Sequence, residues 1–339
     1  MIRLSHLILV IVTLASYLPR LINPDVFWPI ASMGLLAPSL WGLTFLFAIY
    51  WLWKKDNAVW LSVITLLLGW DMQSNAFAIP DGGATAATTT VKVASLNGHG
   101  FREQTDEDIA TFLKTLDVDV LLLQEFRIRE EGNALAKEIQ KQAEFPHVYR
   151  EKEAQLAVFS RYPLKNGEIH YFSNRVNGYL MVDVVTEEGT FKLINAHLQT
   201  NGISNLASQV TQDGSLQEKK TWQKVKTMFG RYGRSNKVRT QQARKILAAS
   251  QKTSLPVLLV GDFNDIPTSY LYELFRTEFE DAHLAQSWGL GTTYEGLLPG
   301  LRIDYILPDA DFTIYDFDRI PCSFSDHQAI RAEISLQKH

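Results

Sequence analysis

One cysteine, Cys322, stands in the whole chain, so no internal disulfide framework can exist, and the compartment is left open. Charge is nearly missing from the first 80 residues, which hold only Arg3, Arg20, Lys54 and Lys55 as bases and Asp25, Asp56 and Asp71 as acids. Such a stretch has too few charges to dress the surface of a water-soluble domain. Acids are in turn missing between Lys219 and Lys252, although the protein as a whole carries a net charge of -4. No internal repeat is apparent, which argues against a solenoid or propeller.

What fills the first 80 residues is apolar. Leu7 to Leu18 follows Arg3 and precedes Pro19 and Arg20, and a signal peptide is the competing reading of that run. Pro29 to Trp53 is uncharged, long enough to span a bilayer, and ends in the aromatic pair Trp51 and Trp53. Ala58 to Trp70 is a third, shorter run behind the turn Lys54-Lys55-Asp56-Asn57. The expectation is a transmembrane region over 1–70 with two or three helices, at about 5–20, 29–53 and 57–75. Residues 71–90 mix Pro, Gly, Ser, Thr and Ala without period and read as a linker. With three spans, Arg3 and the Lys54-Lys55 pair are cytoplasmic, and the rest emerges on the far side. In a Gram-negative bacterium that is the periplasmic side of the inner membrane.

From 91 to 339 the composition is globular, and its strands share one habit. Pro256 to Val260 is a short apolar strand that stops at Gly261 and delivers Asp262 and Asn264, which alternation turns to the same side. Val91 to Leu96 alternates and ends in Asn97. Asp119 to Gln124 is almost wholly apolar and ends in Glu125, a costly place for a carboxylate unless it is paired or binds a cation. Phe191 to Ala196 ends in His197, Leu301 to Leu307 carries Asp304, and Ser325-Asp326-His327 turns into the last strand. Each of these is by itself an ordinary strand-to-turn junction. Helical spacing marks Thr105 to Leu116 and Gly132 to Ala143. A polar stretch from Thr200 to Gln217 leads into two expected helices, Leu216 to Phe229 and Val238 to Leu247. This insertion, about 200–252, is a basic arm with Lys219, Lys220 and Lys224 at its start. It reads as a solvated helical pair or as a surface that captures an anionic polymer or lipid.

The ordered set Ser95-Leu96-Asn97, Leu123-Gln124-Glu125, Phe159-Ser160-Arg161-Tyr162-Pro163, Asn195-Ala196-His197-Leu198, Gly261-Asp262-Phe263-Asn264-Asp265, Arg302-Ile303-Asp304-Tyr305 and Ser325-Asp326-His327 resembles the endonuclease/exonuclease/phosphatase superfamily. The resemblance covers the chain from Val91 onward and includes membrane-anchored bacterial members. It implies an α+β fold, a four-layer α/β/β/α sandwich of two mainly antiparallel sheets flanked by helices, here preceded by the transmembrane helices. It implies a metal-dependent phosphoesterase in which Glu125 ligates Mg²⁺, or Mn²⁺ as substitute, helped by Asn97 and Asp326. Asp304 would orient His327 as the base toward the attacking water, Asp262 would orient that water, Asn264 would bind the phosphate, and His197 would protonate the leaving oxygen. Lys219, Lys220, Lys224 and Arg302 would bind substrate. Where relatives of the exonuclease III type have an acid, this sequence has His99, which puts a second metal ligand there in doubt. The expected substrate is a phosphodiester, first nucleic acid and alternatively a phospholipid or sphingomyelin head group, and the lipid bilayer is the other partner. No protein partner is inferable, and a tethered binding module without catalysis is the third reading.

Overall fold

A computed structural model describes residues 1–80, 89–173, 176–200, 219–296 and 300–337. Its described α-helices are α1 (Ile2–Ala15), α2 (Pro24–Phe27), α3 (Ala37–Trp53), α4 (Val59–Leu68), α5 (Trp70–Ala76), α6 (Asp106–Thr115), α7 (Arg129–Ala143), α8 (Lys219–Ser250), α9 (Tyr270–Arg276) and α10 (Ala282–Gln286). The strands are β1 (Val91–Asn97), β2 (Val120–Gln124), β3 (His147–Arg150), β4 (Ala157–Ser160), β5 (Leu164–Tyr171), β6 (Gly178–Val185), β7 (Thr190–His197), β8 (Val257–Asp262), β9 (Asp304–Pro308), β10 (Phe312–Ile320) and β11 (Ala329–Leu336). Two compact units form. One joins Met1–Phe77, Asn201–Gln241 and Asp265–Leu274; the other joins Ala78–Thr200, Gln242–Asn264 and Phe275–His339.

The first unit is helical, and polar groups line its inside. Trp51 Nε1 donates to His6 Nδ1 at 2.9 Å, which fixes the His6 proton on Nε2, 2.7 Å from Ser62 Oγ. The hydroxyls of Thr13 and Thr44 meet at 3.0 Å, and Tyr17 donates to the Thr65 carbonyl at 3.0 Å. Ile8, Ile11, Phe45, Leu46, Leu52 and Leu67 lie exposed on the outside. Ile2–Arg20 and Pro24–Trp53 are long and apolar enough to cross a membrane. The expected third helix, 57–75, is broken: α4 ends at Gly69, where a Cβ would fall 2.2 Å from the Tyr17 ring. Ten residues rise only about 15 Å, half a bilayer core. The expected linker is shorter too, because α5 occupies its first residues and buries Met72, Asn75 and Ala76; 81–88 lie outside the described residues.

The expected helical pair of the insertion is one helix, α8, of 32 residues. Gly233 does not break it. A Cβ there would lie 2.7 Å from the Trp28 ring, so the glycine admits that ring against the helix. The polar stretch before it lies outside the described residues, Thr200 aside, and so does the expected substrate contact of the Lys219 side chain.

The second unit is the expected sandwich. A six-stranded sheet runs β10-β11-β1-β2-β4-β3 and a five-stranded one β5-β6-β7-β8-β9. Only β1/β2 and β7/β8 pair in parallel; the other ladders are antiparallel. Val93, Leu122, Val158, Val182, Leu193, Val260 and Ile330 fill the main core cluster, and a second cluster forms from Leu121, Leu123 and Phe159 with Ile109 and Leu113 of α6 and Leu135 and Ile139 of α7. The two parallel pairs gather polar residues together, since parallel strands end at the same edge of their sheet. In register, Asn97 pairs with Gln124, His197 with Asp262, and Asp262 with Asp304. Just below those ends the sheets are joined by a polar staple. Gln124 Nε2 donates to Asn195 Oδ1 at 2.7 Å, and Asn195 Nδ2 donates to the carbonyls of Leu123 and Ala157, both at 3.1 Å.

Candidate active site

The ends of β1, β2, β7 and β8 meet, and so do the polar residues they carry. Asn97 Nδ2 donates to Asp262 Oδ2 at 2.9 Å and lies 3.4 Å from Glu125 Oε1. His197 Nε2 stands 3.7 Å from both Glu125 Oε1 and Asp262 Oδ2. Neither ring nitrogen of His197 has a hydrogen-bond partner, although the side chain is only 1% exposed. Buried polar atoms are rarely left so. Asp262 Oδ1 accepts from the Asn264 amide at 2.8 Å, and Asn264 Nδ2 donates back to Asp262 Oδ2 at 3.0 Å. That turn needs a left-handed backbone at Asn264, φ 53°, which asparagine tolerates better than most residues.

His327 Nδ1 contacts both oxygens of Asp304, at 3.1 and 2.9 Å, and Nε2 lies 4.0 Å from Asp262 Oδ2. The strand-to-turn context is secured by Thr293, whose Oγ1 accepts from the amides of Ile303 and Asp304, and by Ser325, which donates to the Asn97 carbonyl at 2.7 Å and accepts from the His327 amide. Burial alone would lower the His327 pKa, but Asp304 and Asp262 outweigh it and push it up to about 10. Nδ1 faces Asp304, so Nε2 is the ring nitrogen left to meet a water or a phosphoryl oxygen. Asp262 moves the other way for an acid. Burial first, then the Asp304 carboxylate, raises its pKa, against the pull of His327, His197 and Asn97.

The donor set for a cation is present. Glu125 leaves β2 with a left-handed φ of 50°, and its carboxylate reaches the Asn97 carboxamide. Asp326 has a buried Oδ1 with no hydrogen-bond partner, a hard oxygen of the type Mg²⁺ and Mn²⁺ select. His99 Nδ1 lies 3.4 Å from that oxygen and 3.9 Å from Glu125 Oε2. Asp262, Asp304 and His327 also offer ligand atoms within 4.8 Å of one another, as a buried Asp-Asp-His group. There, however, Nδ1 is already bonded to Asp304, which leaves only Nε2 of His327 for a ligand or a proton.

Every expected catalytic residue, His197, Asp262, Asn264, Asp304 and His327, thus joins one constellation with Asn97 and Glu125. Arg302 does not belong to it: it is 2% exposed and pairs with the buried Asp281, a structural ion pair in place of the expected substrate contact. Lys220 is exposed and Lys224 half-buried on α8 in the helical unit. The staple of Gln124 and Asn195, and the hydroxyls of Thr293 and Ser325, are functional supports that residue type and spacing did not single out.

Residues 94–327 match the model of the Endonuclease/Exonuclease/phosphatase family, and the chain belongs to that family. Membership of that family supports a phosphodiesterase- or nuclease-type hydrolase. Residues 1–76 match a domain of unknown function. Among solved structures the chain is similar to an endonuclease/exonuclease/phosphatase family protein from Bacteroides thetaiotaomicron, with TM-score 0.52 and 16% identity over 75% of this chain and 100% of that one. It is also similar to a beta toxin from Staphylococcus aureus, with TM-score 0.50 and 15% identity over 71% of this chain and 99% of that one. TDP2 from C. elegans gives TM-score 0.50 and 16% identity over 74% and 76% of the two chains. No curated protein sequence matches the chain.

Proposed function

We infer that the protein is a divalent-metal-dependent phosphodiesterase, held to a membrane by its N-terminal helices, that cleaves its substrate with water. The observation that carries the reading is the meeting of Asn97, Glu125, His197, Asp262, Asn264 and the Asp304–His327 pair at the ends of buried strands. Glu125 with Asn97 and Asp326 would hold Mg²⁺, or Mn²⁺ as substitute, which would supply positive charge to a phosphoryl oxygen. Asp262 takes the proton of the attacking water, a task its raised pKa favours. His327, charged and oriented by Asp304, stabilises the charge that builds on the phosphoryl group. Asn264 donates a hydrogen bond to that group, and His197 protonates the leaving oxygen.

The apolar outside of the helical unit supports the membrane reading, because a bundle with polar side chains inside and apolar ones outside suits lipid. Arg3 pairs with Asp56 at 2.6 Å, so Arg3 and the Lys54-Lys55 turn share one end of the bundle. By the positive-inside rule that end is cytoplasmic, and the sandwich unit is periplasmic only if α4 and α5 together carry the chain back across the membrane.

Nucleic acid is the first substrate reading, supported by the exposed Lys220 and Lys226 of α8. Phospholipid head groups are the second, favoured by the same apolar bundle, which would bring the enzyme to lipid. The full chain in detergent, with Mg²⁺ or Mn²⁺, is tested on DNA, RNA and phospholipid vesicles. Cleavage of nucleic acid that falls steeply with salt and with Lys220→Glu and Lys224→Glu supports the first. Intact nucleic acid with release of phosphate or phosphocholine from vesicles supports the second, and no hydrolysis of any of them contradicts both.

A further inference from the structure

The strand end that carries Asp262 and Asn264 continues into Asp265, a carboxylate the hydrolytic site does not use. It is 1% exposed and held by one face of α8. Tyr232 Oη donates to Asp265 Oδ1 at 2.7 Å, Asn236 Nδ2 donates to Oδ2 at 2.6 Å, and Arg239 Nη2 lies 3.4 Å from Oδ1. Residues four and three apart share a helix face, and all three are buried. Burial keeps the Tyr232 pKa well above its ordinary value, so the phenol remains a donor. An aspartate after a strand would sit in water at no cost. Burying it is unfavourable unless it is paired and fully hydrogen-bonded, and the gain from such a pair is most often a fixed geometry.

The geometry at stake is next door. Asp262 and Asn264 alternate with two anchors, Phe263, stacked on Tyr305 at 5.1 Å between ring centres, and Asp265. Asn264 lies between those anchors in a left-handed conformation, φ 53°, which asparagine adopts more readily than most residues and which its two neighbours hold in place. We propose that Asp265 is a positioning residue: clamped by Tyr232, Asn236 and Arg239, it holds Asn264 in the turn that aims its carboxamide at Asp262 and at the phosphoryl group. The aim at a phosphoryl group rests on the hydrolase reading; the clamp itself does not. α8 is in turn fastened to the N-terminal helices, since Ser32 Oγ donates to the Phe229 carbonyl at 2.6 Å, Gln241 donates to Asp25 at 2.7 Å, and Arg234 stacks on Trp28. The clamp on Asp265 is therefore built on a braced helix.

The test uses the full chain in detergent with Mn²⁺ and bis(4-nitrophenyl) phosphate, well below the melting temperature, with deuterium uptake of the 262–266 peptide read in parallel. Asp265→Ala is expected to lower kcat about thirtyfold or more, with KM within about threefold and uptake about tenfold faster. Ile139→Ala, a core variant of similar melting temperature, should leave both readouts near wild type. Asp265→Asn should recover most of the loss, because the Asn236 Oδ1, which has no hydrogen-bond partner, can turn to accept from the new amide. If Asp265→Ala keeps kcat within about twofold, or leaves uptake unchanged, the clamp does not position the turn. Should Asp265→Ala fail to fold, Tyr232→Phe removes a single donor and is expected to slow kcat about threefold to tenfold, and no change there overturns the proposal. A wild type that hydrolyses no phosphodiester sinks the hydrolase reading, while the uptake arm still decides the clamp.

Discussion

The helical unit and the sandwich unit are built on opposite plans. In the helical unit His6, Thr13, Thr44 and Ser62 are buried while Ile8, Leu46, Leu52 and Leu67 face outward. In the sandwich Val93, Leu122, Val182 and Val260 are buried, and β5 turns Lys165, Asn166 and Glu168 toward the surface or its rim. Burying a polar group is unfavourable unless it is hydrogen-bonded, and a buried apolar side chain has no such need. The buried hydroxyls of the N-terminal helices find partners, Thr13 with Thr44 and Ser32 with the Phe229 carbonyl, whereas neither ring nitrogen of the buried His197 in the sandwich has a hydrogen-bond partner.

The sharpest way to break the contrast is to remove the unsatisfied or displaced charges of the sandwich. Asp262→Ala and His327→Ala should each lower kcat by about 10²–10⁴-fold, with the circular dichroism spectrum near wild type. Retained hydrolysis in either would separate the cleft from the reaction. Next in size are two stability tests that should respond to opposite chemistry. Leu122→Ala in the sandwich core should cost about 2–5 kcal/mol in urea unfolding, as a cavity in a packed interior does. Leu46→Lys on the outside of α3 should cost about 2.5–3.5 kcal/mol of membrane insertion, read as loss from the membrane fraction, although an exposed lysine in a soluble helix would be neutral. Normal membrane recovery of that variant would mean the bundle meets water. The smallest effect is one of pH. His327 has its folded pKa raised from 6.5 to about 10, so its contribution to stability is fully present below about 6.5 and is lost as pH rises through about 10. Melting temperatures of wild type and His327→Gln should converge over that window, and kcat of the wild type should fall at its upper end.

Much of the catalytic strand pattern was readable because it depends on local order. Apolar runs that stop at Asn97, Glu125, His197 and Asp262 mark strand ends wherever the strands go, and parallel pairing then brings those ends together. What could not be read depends on partners distant in the chain. Arg302 looked like a substrate contact until Asp281, 21 residues upstream, proved to be its buried partner. The two helices expected at 216–229 and 238–247 are one, because the helix runs on through Gly233, against which Trp28 packs. Asn195 and Asp265 sat inside recognised motifs without showing what they hold, one a neighbouring sheet and the other a helix face.

Anomalous diffraction from crystals of the full chain soaked in Mn²⁺ bears most directly on the convergence of strand ends into a metal-assisted hydrolytic cleft. The expected peak lies about 2–2.5 Å from a Glu125 carboxylate oxygen, beside Asn97 and Asp326, with Asp304 still bonded to His327. A peak seated between Asp304 and His327, or no peak near Glu125 at saturating Mn²⁺, would contradict it.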